Sequence, residues 1–307
     1  MLTLAVDVGG TRVSTVEGDF FVGTAGADNL TMDVSVVGLG GDTGNDTLTG
    51  GDGDDWLFGD DFSAEFFTNS FSVYDFSVVG SDSISGGSGN DTLVGGPGDD
   101  TLSGGIGDDV FYLQGGGNDF LVEELGGGID TIVTASTSFT LARHFENLEF
   151  SNWKQGFRKD AHGIGNAGGN WISGGAGADT LEGRGGNDTL SGGMGHDLLI
   201  GGAGRDTFTF GYTNQFAAFN IFPRDFDTVS DFDATKDIFS LFSVCFDSRL
   251  HSGALRAGQF GLIGTALTGK ELVLYDQATG ELMERNYDVF AHVTPGMILT
   301  HLDFEWN

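Results

Sequence analysis

The chain has 307 residues, of which 54 are glycine and only 3 are proline, so the glycine does not follow a collagen-like or proline-rich pattern. Its 45 acidic and 13 basic residues give a formal net charge of −32, which argues against a nucleic-acid partner and suits hard cations that prefer oxygen ligands. The single cysteine, Cys245, excludes an intrachain disulfide framework.

The N-terminus lacks the basic start and the long apolar core of a cleavable secretory signal, so we expect none there. No stretch approaches the roughly 18 apolar residues that a membrane helix needs. Only residues 1–22 precede the first repeat, so we expect no enzyme domain N-terminal to the repeats.

A nine-residue pattern, GGxGxDxUx with U apolar, recurs in three blocks that cover residues 23–58, 80–133 and 165–209. The first block is loose and is interrupted at 32–40, an insert of one repeat length that keeps the phase. The second block contains three consecutive copies at 86–112. The chain therefore divides into 1–79 with an N-terminal strand and the loose block, 80–133 with the second block, a β-rich linker at 134–164, the third block at 165–209, and a C-terminal cap at 210–307.

Each position of the repeat has a structural reason. Glycines at the first, second and fourth positions allow backbone angles that a side chain forbids. The last three positions form a short strand whose apolar eighth residue points inward. Asp42 and Arg184 replace the second glycine in two repeats, so the sequence does not predict the backbone conformation at these two positions. The residues predicted to point inward are Leu93, Leu102, Phe111, Leu181, Leu190, Leu199 and Phe208.

One apolar residue in nine buries too little surface to offset the ordering of so many glycines. The aspartates add repulsion, because stacked turns bring their carboxylates together. Ca²⁺ takes roughly six to eight oxygen ligands, which glycine carbonyls and aspartate carboxylates supply. We therefore predict a chain that folds when Ca²⁺ binds and is disordered without it.

The copies GGSGNDTLV, GGPGDDTLS and GGIGDDVFY resemble the repeats-in-toxin (RTX, haemolysin-type) calcium-binding proteins, which Gram-negative bacteria secrete. The resemblance implies an all-β fold: a right-handed parallel β-roll, or calcium-binding nonapeptide solenoid, with two repeats per turn and a β-rich C-terminal cap. It also implies that each Ca²⁺ lies between one loop and the loop two repeats later.

On that geometry, the resemblance pairs Asp82 with Asp100, Asp91 with Asp109, Asp179 with Asp197, and Asp188 with Asp206. Asn170 stands where an aspartate is expected, so its pairing with Asp188 is expected to be weaker. The side-chain ligands that the resemblance implies are Asp46, Asp55, Asp82, Asp91, Asp100, Asp109, Asp119, Asn170, Asp179, Asp188, Asp197, Asp206 and Asp227. The implied backbone ligands are Gly87, Gly89, Gly96, Gly98, Gly105, Gly107, Gly175, Gly177, Gly186, Gly193, Gly195, Gly202 and Gly204.

The C-terminal region resembles the same proteins. Residues 226–244 resemble the capping stretch that follows the last repeat in serralysin-type and haemolysin-type proteins, where Asp227, Asp231 and Asp237 bind or cap. The segments ELVLYDQATGELM and LTHLDFEWN resemble the C-terminal end that type I secretion systems read. The resemblance thus implies that the type I secretion apparatus is a partner through the C-terminus.

We expect a secreted protein that binds several Ca²⁺ ions and has a structural, surface or adhesive role, with cell-surface, matrix or self-association. The sequence has no His-Glu-x-x-His or Gly-x-Ser-x-Gly motif, so no catalytic residue is predicted. The alternative is an enzyme, or an accessory module of a secreted protease, lipase or polysaccharide epimerase. The Phe-rich stretches 62–76 and 216–226 are predicted to cover the solenoid, with an exposed partner-binding patch as the alternative. Whether the first block binds calcium is left open.

Overall fold

The computed structural model describes residues 5–6, 11–14, 19–31, 37–60, 80–113, 116–151, 159–210, 226–241, 253–254, 260–262, 273–284, 289–300 and 303–306. Cys245, the Phe-rich stretch 62–76 and nearly all of the stretch 216–226 lie outside these ranges. Within them the regular structure is almost entirely β. No helix of the described residues has the length and apolar character needed to cross a membrane.

The chain forms two compact units, the first made of Met1–Ser136 with Arg143–Asn147 and the second of Thr137–Ala142 with Leu148–Asn307. The strands of the first unit are β1 (Ala5–Val6), β2 (Thr11–Ser14), β3 (Asp19–Val22), β4 (Asn29–Thr31), β5 (Val37–Asp42), β6 (Thr47–Asp52), β7 (Trp56–Asp60), β8 (Ser83–Ser88), β9 (Thr92–Val94), β10 (Thr101–Ile106), β11 (Val110–Leu113), β12 (Phe120–Val122) and β13 (Thr131–Thr134).

Successive strands of the first unit alternate between two sheets, so that two repeats make one turn of a coil. One sheet has the order β1-β4-β6-β8-β10-β12, and the other contains β2-β3-β5-β7-β9-β11-β13. All neighbours pair in parallel except at the start, where β1 and β2 are antiparallel to β4 and β3. Leu93 lies opposite Phe111, eighteen residues on, as two nine-residue repeats require. Leu48 instead lies opposite Ile84, because the undescribed residues 61–79 fall between them.

The strands of the second unit are β14 (Ser138–Thr140), β15 (Asn147–Phe150), β16 (His162–Ile164), β17 (Trp171–Ala176), β18 (Thr180–Glu182), β19 (Thr189–Met194), β20 (Leu198–Ile200), β21 (Thr207–Phe210), β22 (Asp227–Val229), β23 (Ile238–Leu241), β24 (Gly253–Ala254), β25 (Phe260–Leu262), β26 (Val273–Asp276), β27 (Glu281–Glu284), β28 (Val289–His292) and β29 (Phe304–Trp306). Two sheets are again built from alternate strands, with the orders β15-β17-β19-β21-β23-β29-β24 and β14-β16-β18-β20-β22-β28-β27-β26-β25.

The C-terminal part of the second unit closes its coil. β22 pairs in parallel with β20 on one side and with β28 on the other. From β28 the sheet continues as the antiparallel neighbours β27 and β26, so the repeat geometry gives way to an ordinary meander. The predicted fold class, a parallel β-roll with a β-rich C-terminal cap, is confirmed.

Within the repeat blocks each strand contributes one central apolar side chain to the core between the two sheets. The eighth residue of successive repeats forms an apolar column, and every residue predicted to point inward is fully buried. In the second unit, Leu190 lies between Ile172 and Phe208, and all three are 0% exposed. Because each rung contributes one such residue, the loss of a single member affects the rungs on both sides.

We expect Leu190→Ala to lower the free energy of unfolding of the calcium-bound second unit by about 2–5 kcal/mol, because the truncation leaves a cavity between the fully buried neighbours Ile172 and Phe208. Urea denaturation followed by circular dichroism in saturating calcium measures the change. Thr189→Ala is the matched control, since the Thr189 side chain points away from the column. Equal effects of the two substitutions would contradict the single-column core.

Candidate metal centres

The turns between strands are shaped by glycines in the left-handed region of backbone space. Every glycine predicted as a backbone ligand has a φ between 96° and 152°. At Gly98 a Cβ atom would overlap the carbonyl oxygen of Gly80, one turn away, so glycine is needed there for space as well as for φ. Asp42 and Arg184, which replace the second glycine, keep the same backbone with φ values of 79° and 74°. Both repeats therefore retain the turn despite their side chains.

The sixth residues of the repeats form ladders through one carboxylate oxygen. The backbone N–H of each residue donates to the Oδ1 atom of the sixth residue one turn later, at 2.7–3.2 Å. In the first unit these links join Asp28, Asp46, Asp82, Asp100 and Asp119 in one ladder, and Asp55, Asp91, Asp109, Asp130 and Glu146 in the other. In the second unit they join Ala161, Asp179, Asp197 and Asp227, and Asn170, Asp188, Asp206 and Asp237.

These ladders bring together the aspartate pairs that the RTX resemblance implies. Asp82 with Asp100 and Asp91 with Asp109 are linked in the first unit, and Asp188 with Asp206 in the second. The spatial pairing of these residues therefore follows the eighteen-residue turn. Their role as metal ligands remains a prediction.

Nine aspartates of the ladders, here called the inner or open rungs, have a second carboxylate oxygen that is buried and faces no donor in the described part of the chain. Among the described residues, no hydrogen-bond partner reaches the Oδ2 atoms of Asp46, Asp55, Asp82, Asp91, Asp100, Asp109, Asp130, Asp179 and Asp188. These side chains are 0–3% exposed. A buried polar oxygen without a partner costs free energy, and a site that repeats this feature at every inner rung indicates a missing ligand.

At several rungs the carboxylate oxygen without a hydrogen bond lies beside a carbonyl oxygen of the next turn. A Cβ atom added to Gly86 would meet both the Oδ2 atom of Asp91 and the carbonyl oxygen of Gly104. At Gly183 the corresponding atoms are the Oδ2 of Asp188 and the carbonyl oxygen of Gly201, the latter 2.6 Å from the added Cβ. Oxygen atoms from two successive turns thus converge, as the coordination of a hard cation requires, and the residues present fit Ca²⁺.

The electrostatics of these rungs also call for a cation. Burial, with a smaller contribution from neighbouring carboxylates, raises the pKa of Asp55, Asp82, Asp109, Asp179 and Asp188 to about 7. The same causes raise the pKa of Asp46, Asp91, Asp100 and Asp130 to about 6. From residue 13 to residue 142 the sequence contains no lysine, arginine or histidine, so this stretch supplies no cation of its own.

Some rungs at the ends of the ladders are closed by hydrogen bonds from within the chain. The Oδ2 atom of Asp28 accepts hydrogen bonds from the backbone N–H and the hydroxyl of Thr24, at 2.6 and 3.0 Å. The Oδ2 atom of Asp237 accepts one from the N–H of Asp233 at 2.8 Å. Asp231 accepts from two backbone N–H groups, those of Gly201 and Gly202. These three aspartates are therefore satisfied as caps.

The remaining predicted ligands take positions near the ladder ends. Asn170 resembles a closed rung, because its Oδ1 accepts a hydrogen bond from the N–H of Asn166 at 2.8 Å. Asp119 and Asp227 are the last members of their ladders, each accepting at 3.2 Å from the N–H of the preceding rung.

The sequence analysis did not include four acidic residues that the structure places at the rungs, and Asp28, at the start of its ladder, is the first of them. Asp130 occupies the sixth position of residues 125–133, so the repeat itself could have indicated it. Glu146 ends the second ladder by accepting from the N–H of Asp130 at 2.9 Å, although it belongs to no repeat. Glu123, also outside the repeat pattern, forms with Asp109 and Asp130 a group whose ligand atoms lie within 4.8 Å of one another.

The comparison with protein families agrees with this geometry. The family model of the RTX calcium-binding nonapeptide repeat matches the chain in four copies, at residues 40–63, 78–111, 164–199 and 189–211. No curated protein matches the chain. The chain therefore contains RTX repeats, which are typical of secreted proteins and imply that it binds Ca²⁺. The matched residues include part of the loose first block.

The raised pKa values predict how pH affects the metal-free fold. An aspartate has a pKa near 3.8 when it is unperturbed and about 7 at several rungs, so between these values the folded chain binds more protons than the unfolded chain. Stability without calcium should therefore be highest at about pH 4 and should fall as pH rises from there to about 7. Circular dichroism of the calcium-free chain at pH 4 and pH 8 measures this trend, with more β signal expected at pH 4. In saturating calcium the trend should reverse, because the ion needs ionised ligands. A metal-free stability that rises with pH would contradict the assignment.

The distinction between open and closed rungs predicts different effects of the same substitution. Asp91→Asn should remove at least one bound Ca²⁺ and raise the calcium concentration needed for folding, because the Asp91 Oδ2 atom is buried and without a hydrogen bond from the described chain. Asp28→Asn is the matched control, since Thr24 already satisfies the Asp28 carboxylate. Calorimetric titration with calcium measures the number of ions that each variant binds. If Asp28→Asn lost as many ions as Asp91→Asn, the distinction would be wrong.

Proposed function

We propose that this chain is an exported protein whose two β-rolls fold when Ca²⁺ binds outside the cell. The observation that carries the proposal is the set of inner-rung aspartates, each of which has a buried carboxylate oxygen without a partner in the described chain. In all of them except Asp55, the other oxygen accepts a hydrogen bond from the neighbouring turn. A cation at each rung would supply the missing partner and neutralise carboxylates that burial otherwise disfavours. RTX repeats support the identity of that cation as Ca²⁺.

The difference in calcium concentration between the two sides of the membrane would determine where the chain folds. Extracellular calcium-binding modules work at roughly 10⁻⁴ to 10⁻³ M, far above the free calcium of a cytosol. The chain would remain unfolded before export, since its net charge of −32 opposes collapse. It would then fold on arrival. The metal takes the place of the disulfides that stabilise many secreted proteins, which a chain with one cysteine cannot form within itself.

The proposed role of the folded protein is structural, as part of a surface layer, a matrix or an adhesive contact. Export would proceed through the type I secretion apparatus, which would read the C-terminal segment. The repeats support this role, because calcium binding explains the acidic residues of the repeats without assigning them a catalytic part. Cell fractionation places the protein on the cell, in a matrix or free in the medium. Hydrolytic activity of the purified chain on protein, lipid or polysaccharide substrates would contradict the structural role and favour the enzyme alternative.

We expect removal of calcium at pH 7.5 to abolish the β-type circular dichroism signal and to expand the chain toward the radius of gyration of about 60 Å expected for an unfolded chain of this length. Addition of calcium should restore both properties. Magnesium at the same concentration is the control and should restore much less, because it demands a smaller octahedral site and loses its water reluctantly. A chelated sample that stays compact with its β signal intact would overturn the proposed function.

A further inference from the structure

The last rung of the first unit differs from the others in the ligands that it offers. Two residues, Glu123 and Glu124, interrupt the repeat phase between β12 and the next glycine turn. Together with Leu113, which separates the two preceding repeats, they place Asp130 21 residues after Asp109 instead of 18. Glu123 and Asp130 lie beyond residue 111, where the match to the RTX repeat ends in this part of the chain.

The Glu123 carboxylate lies where a neutral carbonyl lies in the regular rungs. At Gly86 an added Cβ would meet the Asp91 carboxylate and the carbonyl oxygen of Gly104, at 2.6 Å from the latter. At Gly104, one turn later, an added Cβ would meet the Asp109 carboxylate and the Oε2 atom of Glu123, at 2.8 Å from the latter. The two-residue insertion therefore replaces a carbonyl dipole with a full negative charge.

Each of the three carboxylates at this rung accepts a backbone hydrogen bond with one oxygen and leaves its other oxygen available to a metal ion. Asp109 Oδ1 accepts from the N–H of Asp91 at 2.7 Å, and Asp130 Oδ1 accepts from the N–H of Asp109 at 2.9 Å. Glu123 Oε1 accepts from the N–H of Glu124 at 2.9 Å. The remaining oxygens of the three residues are buried and have no hydrogen-bond partner among the described residues. Asp109 and Asp130 are 0% and 1% exposed, so the offered oxygens point into the interior.

We propose that Asp109, Glu123 and Asp130 form a three-carboxylate site for Ca²⁺ that binds more tightly than the regular rungs of the first unit. The inference rests on the proposed function, because it assumes that the rungs bind calcium. The affinity of calcium sites rises with the number of charged ligands, and this rung has one more than its neighbours. No basic side chain of residues 13–142 competes for the three carboxylates. The site would therefore fill first as calcium rises and would fix the C-terminal end of the first coil.

The test is a calcium titration of the full chain against a chromophoric chelator, comparing Glu123→Gln with Glu124→Gln. The two substitutions remove the same charge one residue apart, and only Glu123 belongs to the carboxylate group. Glu123→Gln should weaken the tightest class of calcium sites at least about tenfold, because loss of a direct ligand should cost no less than loss of a supporting residue. Glu124→Gln should titrate like the wild-type chain.

A third variant, Glu123→Asp, separates a ligand role from a packing role even where one variant folds poorly. It keeps the charge on a shorter arm, whereas glutamine keeps the shape without the charge. If Glu123 is a metal ligand, calcium affinity should be highest with Glu at position 123, lower with Asp and lowest with Gln. If Glu123 only fills space, the chains with Glu and Gln should bind calcium equally well and the chain with Asp should bind it more weakly. The packing order, or wild-type titration of Glu123→Gln, would overturn this site while leaving the proposed function intact. A wild-type chain that binds no calcium would overturn the proposed function itself.

Discussion

The structure depends on a hydrogen bond that satisfies only half of a carboxylate. In all of the inner rungs except that of Asp55, a backbone N–H of one turn holds one oxygen of the aspartate in the next turn, and this link sets the position of the side chain. The other oxygen is buried with no partner in the described chain. Every inner rung thus repeats the same unmet requirement, and a cation that prefers oxygen meets it at each one.

The thin apolar column and the acidic turns depend on each other. One buried side chain per rung leaves the two sheets with little hydrophobic stabilisation, so the turns have to be held by other means. The glycines that let oxygens of adjacent turns converge also raise the entropic cost of ordering. Residues 13–142, which supply most of the first unit, contain no basic side chain, so ions from solution have to neutralise most of its buried carboxylates.

The chemistry changes where the repeat stops. At Asp28 and Asp237 a hydrogen bond within the same loop takes the oxygen that the inner rungs leave open. A coil that ended on an open rung would expose a carboxylate with one side of its coordination shell missing. Closed rungs remove that problem with the chain's own N–H groups, and the Glu123 rung differs by adding a third carboxylate.

The sequence by itself determined the buried residues at the eighth position, which follow from the nine-residue period. Its resemblance to RTX repeats implied the parallel β-roll and the aspartates that meet across one turn. It also identified the turn glycines, whose φ values only glycine adopts readily. Only the tertiary structure decided that Asp28 is closed while Asp91 is open, and that Glu123 and Glu146 join the rungs. A period fixes which residues share a rung. It does not fix which N–H group of a loop donates to the aspartate. Nor does it fix the position of a side chain outside the repeats, because an insertion changes the path of the chain.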